Sequence, residues 1–205
     1  MKIKKFSIVL LSTFLFPALI QAETLLSFKP PKVGAPSTRI GGGTRGSNLA
    51  MIDLQTLAPA QTALTSQASP TLYWYISDTS PSPVEITLNL EKEGEPIVEK
   101  TLPPIIKAGI QAINLEELNV ELEIGKEYRW SVALVANSEQ HSGDIFTSAT
   151  IRRETSSIAL KNTAELAAAG FWYDVLPQLV EQKSPQLNEF LKQGGITLTP
   201  KTHEY

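Results

Sequence analysis

From Lys126 to Ala136 the chain alternates: Tyr128, Trp130, Val132 and Leu134 fall on one face, and Glu127, Arg129 and Ser131 on the other. A period of two marks a strand with one face in a core and the other outside it. Such a strand is stable only as part of a sheet. The pattern recurs in Val84, Ile86, Leu88 and Leu90, which interleave with Glu85, Thr87, Asn89 and Glu91, and in Ile145, Thr147, Ala149 and Ile151 within Asp144 to Arg153. Thr71 to Ile76 is a β-branched and aromatic run. Glu93-Gly94-Glu95 reads as a tight reversal into Pro96 to Leu102, and Ile110 to Leu115 is a weaker candidate. Six strands joined by short polar turns, with no helical period between them, predict a mainly β fold. The expectation is an antiparallel immunoglobulin- or fibronectin-like β-sandwich over residues 68–154.

After Glu154 the period becomes helical. Asn162 with Glu165 three residues on forms a capping-box pattern for a helix that stops at Gly170. A second helix covers about Phe171 to Gln182, with Pro177 either kinking it or lying in its first turn. Ser184-Pro185 opens a third, which ends at Gly194-Gly195. Residues 155–205 are therefore read as a C-terminal α-helical hairpin and tail. Its Ala167-Ala168-Ala169-Gly170-Phe171-Trp172-Tyr173-Asp174 turn looks like one half-turn of a tetratricopeptide unit. A single unit cannot bury its own face, so it is expected to dock on the sandwich or to extend a partner's array.

Two segments precede the strands. Lys2, Lys4 and Lys5, an apolar run from Phe6 to Leu19 containing Pro17, and Ala22 before Glu23 make the three regions of a signal peptide over residues 1–22. The run is shorter than the roughly 20 apolar residues of a membrane span. The expected location is thus exported, periplasmic or extracellular, with no span once the signal is removed. Residues 23–67 are rich in Pro, Gly, Ser and Thr and read as an extended arm that orders only against the body or a partner.

The formal net charge of the whole chain is −3, and three of its lysines lie in the leading segment. An acidic balance of this kind does not suit nucleic acid or an anionic membrane surface. The 205 residues include no Cys, which excludes lipid attachment through Cys, thiolate catalysis and Cys-based zinc sites.

Several stretches together resemble an uncharacterised exported β-rich family, common in cyanobacteria. They are Gly34-Ala35-Pro36 with Arg39 and Gly41-Gly42-Gly43-Thr44-Arg45-Gly46; Leu64-Thr65 before Pro70-Thr71-Leu72-Tyr73-Trp74-Tyr75; Gly125-Lys126 before Tyr128-Arg129-Trp130; Ser142, Asp144, Ile151 and Arg152; and Gly170 to Asp174. The resemblance brings no activity with it. It implies a Cys pair in many members where this chain has Ser47 and the residues around Asn137. If that pair pins the arm, this protein lacks the pin. Neighbouring membrane sensors and caspase-like domains associate the family with signalling.

The candidate site residues divide by chemistry. Arg39 and Arg45 flank a Gly run able to form a backbone nest for an anion, and their guanidinium groups suit two-point contact with carboxylates. The run lacks the Lys-Ser/Thr of a nucleotide loop. Trp74, Tyr128 and Trp130 are expected in the core, with Tyr128 a possible tyrosine corner. Tyr73 and Tyr75 face the other way and are the better candidates for an exposed stacking platform. His141 and His203 belong to no triad or metal signature, so no catalytic residue, metal site or cofactor is assigned. Asp78 and Asp144 are explicable as turn residues. Phe171 and Trp172 are read as sealing the hairpin, with Asp174 capping a helix. The functional expectation is a non-catalytic binding or adaptor module that meets an envelope protein. The alternatives are a glycan-binding module built on Tyr73 and Tyr75 and a carboxylate-based hydrolase that uses Asp144.

Overall fold

In the computed structural model of the protein the described residues are 25–32, 52–91, 95–137, 143–156 and 162–199. The predicted signal peptide, Arg39, Arg45, the Gly41–Gly46 run, His141 and His203 lie outside them. The fold is mainly β with a C-terminal helical part. Its strands are β1 (Leu54–Thr56), β2 (Ala63–Thr65), β3 (Thr71–Ile76), β4 (Val84–Leu90), β5 (Pro96–Leu102), β6 (Gly109–Asn114), β7 (Glu127–Leu134) and β8 (Ile145–Arg153). The helices α1 (Thr163–Ala168), α2 (Trp172–Glu181) and α3 (Leu187–Gln193) follow. Among the described residues no helix is long and apolar enough to cross a membrane.

The strands form a three-stranded sheet of order β1-β3-β6 and a five-stranded sheet of order β2-β8-β7-β4-β5. The alternation in β7 and β4 is realised residue by residue. Val84, Ile86 and Leu88 sit opposite Leu134, Val132 and Trp130, all buried on one face. Among the described strands the pairings are antiparallel except that β2 runs parallel to β8, with Ala63 opposite Ile151 and Thr65 opposite Arg153. The purely antiparallel expectation is corrected there. The parallel neighbour comes from a stretch assigned by composition to the arm, and β1 does too. Each has three residues, too few to display a period, and each is buried through long-range partners instead. The two sheets meet where β1 lies against β8, and the Thr56 amide donates to Thr147 Oγ1 at 3.2 Å.

Tyr128 is buried and its hydroxyl accepts the amide of Glu123, five residues upstream, at 2.9 Å. Trp74 and Trp130 are also buried, as expected of the core face, but they differ in one respect. Trp130 Nε1 donates to the Tyr173 hydroxyl at 2.9 Å, whereas Trp74 Nε1 has no hydrogen-bond partner among the described residues. A buried unpaired donor costs about 1–3 kcal/mol, so removing it offsets part of the packing lost on truncation. Trp130→Phe is therefore expected to cost about 1–2 kcal/mol more stability than Trp74→Phe in urea unfolding. Equal or reversed costs would contradict this pairing.

The helices dock on the protein's own sheets. Asn162 caps α1 by accepting the Glu165 amide at 3.0 Å. Pro177 lies within α2, beyond its first turn, and cannot donate to the Tyr173 carbonyl. Ser184 Oγ accepts the Gln186 amide ahead of α3, and the chain turns away at Gly194-Gly195.

Candidate functional site

The helical part holds a second, unexpected chain segment. Leu26 to Lys29 lies across α1 and α3 in contacts spanning up to 167 residues of sequence. Gln193 provides the centre of the arrangement. Its Nε2 donates to the Leu26 carbonyl at 2.9 Å and its Oε1 accepts the Phe28 amide at 2.6 Å. In an extended chain these two groups flank one residue and point the same way, so the side-chain amide occupies the place of a neighbouring strand's peptide group. Gln186 Oε1 accepts the Leu26 amide at 3.2 Å, and the Ala167 carbonyl accepts that of Lys29 at 3.2 Å.

The Phe28 side chain fills an aromatic slot. Its ring meets Trp172 edge-on at 4.9 Å and Phe190 at 6.1 Å, while Trp172 and Phe190 stack at 4.2 Å. Trp172 is held from its other end by Nε1, which donates to the Leu57 carbonyl at 2.8 Å on the β1–β2 connection. Two glycines permit the close approach. A Cβ at Gly194 would lie 2.6 Å from Trp172 Cη2, so the indole rests directly on the backbone. At Gly170, φ is +89° and a Cβ would meet Pro31 Cδ at 3.1 Å and the Lys29 carbonyl at 3.2 Å. Beside Leu26 the groove continues into a cleft of about 690 Å³ lined by Asn162, Ala168, Leu179, Gln182 and Gln186.

Sequence reasoning missed Leu26, Phe28, Gln186 and Gln193. The available signal was an aliphatic-x-aromatic pattern, Leu26-Ser27-Phe28, standing just before Pro30-Pro31 in a stretch otherwise poor in large apolar side chains.

A second cleft, of about 440 Å³, lies at the joint of β2 with α2. Asp174 is at its edge. Its carboxylate accepts Thr65 Oγ1 at 2.7 Å, the Ser66 amide at 2.9 Å and Ser66 Oγ at 2.5 Å. The expected helix cap is corrected here, because α2 has no side-chain cap and Asp174 instead ties the helix to the end of β2. Trp172 and Tyr173 seal the helices against the sheets, the Tyr173 hydroxyl donating to the Thr150 carbonyl at 3.2 Å, while Phe171 is buried but lies outside the core cluster that they join.

Tyr73 and Tyr75 are corrected as an exposed platform: each is 6% exposed. Alternation correctly turns them away from the other sheet, but the helical part and the segment after it cover that face too. Tyr75 donates to the Thr199 carbonyl at 3.1 Å. Burial raises both phenol pKa values above the usual 10.0, with a smaller contribution from the negative charge of Glu181 for Tyr73 and of Asp53 for Tyr75. Asp78 and Asp144 serve backbone turns, accepting the Thr79 and Ala136 amides at 2.8 Å each. Among the described residues no group of three His, Asp or Glu side chains is placed to hold a metal ion.

No curated protein matches the sequence. A family model does, across residues 40–195, which takes in every described strand and helix and begins after the Leu26–Lys29 segment. By that match the chain belongs to the family described as Domain of Unknown Function (DUF928).

Proposed function

We propose that this protein is a non-catalytic binding module of the cell envelope whose helices recognise an extended peptide with an aromatic anchor. The observation that carries this reading is the Gln193 amide bonded to both the Leu26 carbonyl and the Phe28 amide. Contacts to backbone accept many sequences, and the slot formed by Trp172 and Phe190 selects an aromatic side chain, the division of labour seen in peptide recognition generally. The envelope location rests on the basic and apolar pattern of residues 1–22. An immunoglobulin- or fibronectin-type sandwich would serve as the scaffold, a reading supported by the two-sheet arrangement and the Tyr128 contact.

The test uses Phe28→Ala, which removes the anchor that fills the slot. A fluorescent peptide of residues 24–32 is expected to bind the F28A protein saturably and at least tenfold more tightly than it binds the wild type, whose slot is occupied. The same peptide lacking Phe28 should not bind. Absence of binding to an F28A protein with unchanged circular dichroism would overturn the proposal.

A further inference from the structure

We infer that copies of this protein exchange the Leu26–Lys29 segment, each inserting its Phe28 into the groove of the other. The inference rests on the peptide-groove reading proposed above. Every copy carries both parts of the lock: the segment, and a groove shown to fit it by the Gln193, Gln186 and Ala167 contacts. The contacts described for the segment are all with the helical part, and nineteen residues of sequence separate Lys32 from Ile52 at the start of the sheets. Covalent geometry lets such a tether span at most about 65 Å. A compact body of this size has a radius of gyration near 15 Å, so the tether's maximum reach exceeds the width of the body beside it.

Exchange of an identical element replaces each contact with the same contact made by the partner. A two-fold pair formed in this way leaves no groove empty, and it closes rather than propagating. What opposes it is the effective concentration of the copy's own segment, which covalent connection sets at about millimolar order. Exchange must therefore increase with protein concentration, and it must depend on the anchor. Leu25, 80% exposed at the start of the segment, adds little to hold the segment in place.

The sequence contains no Cys, so introduced thiols report without background. Leu26→Cys and Gln182→Cys are suitable because both residues line the same cleft. The double variant, treated with a short bismaleimide, calibrates closure within one chain. The two single variants, carrying tags of different mass, are then mixed over a range of concentrations and treated identically. The expected result is a mixed 26–182 dimer in at least fivefold excess over the two like-with-like dimers. Its yield should rise with concentration and be lost when the Leu26→Cys chain also carries Phe28→Ala. A mixed dimer at the statistical level, with the double variant closing fully, would overturn exchange. Under that outcome a free L26C peptide of residues 24–32 that still cross-links to a Q182C/F28A protein shows that the groove reading survives. Failure of the peptide as well removes both.

Discussion

Trp172→Ala is expected to lower unfolding stability by about 4 kcal/mol, the largest loss of any single truncation in this protein. Trp172 is fully buried, and it makes four contacts with three separate parts of the chain. It stacks on Phe190 of α3, meets the Phe28 ring in a T-shaped contact, donates to the Leu57 carbonyl and lies against the bare backbone of Gly194. Truncation leaves a cavity that Gly194 has no side chain to fill, and it strips the Leu57 carbonyl of a buried donor. Because domains are stable by only about 5–15 kcal/mol, a large part of the total disappears. Trp172→Phe preserves the stacking and loses the N–H, so about half of the cost is expected. Guanidinium unfolding of both variants measures this. A loss under about 2 kcal/mol for Trp172→Ala would mean that the helices do not depend on this ring.

Asp174→Ala is expected to cost about 2–3 kcal/mol, the second largest effect, through a different mechanism. It creates little cavity but leaves the donors of Thr65 and Ser66 without their ionised acceptor. Hydrogen bonds to a charged group contribute more than neutral ones, and here they fasten the start of α2 to the end of β2. Asp174→Asn tests the charge separately: it places an N–H₂ group toward donors already present, so it should recover less than half of the loss. Thr65→Val removes one donor and should cost about 1 kcal/mol. An Asp174→Ala variant as stable as the parent would show that the carboxylate is dispensable.

How far the sequence was readable depends on where each residue finds its partners. β4 and β7 were readable because one face of each is buried and the other is not, an asymmetry written at period two; β8 carries the same alternation of residue types, although Ser148 and Thr150 on its other face are buried too. β1 and β2 were not, because three residues carry no period and their burial comes from β3 and β8, distant in sequence. Tyr73 and Tyr75 show the limit of alternation itself. It places a side chain on a face without saying whether another layer covers that face, and here the helical part does. The same limit concealed the groove. Gln186 and Gln193 look like ordinary surface glutamines of a short helix, and their role emerges only when Leu26 and Phe28, some 160 residues away, arrive beside them. Trp172 was correctly read as a seal, and its indole is also one wall of the slot.

The distance along the chain between Phe28 and Gln193 also sets a schedule. Synthesis proceeds at about 5–20 residues per second, so the segment that emerges early waits on the order of ten seconds or more for the residue that will hold it. Until α3 exists, Phe28 has no Phe190 beside it and no amide to pair with. Contacts of such high sequence separation form late, because loop closure must be met before they contribute anything. The groove is therefore completed last, and during that interval its future occupant is an unattached aromatic on the nascent chain, available to any folding helper that binds such residues.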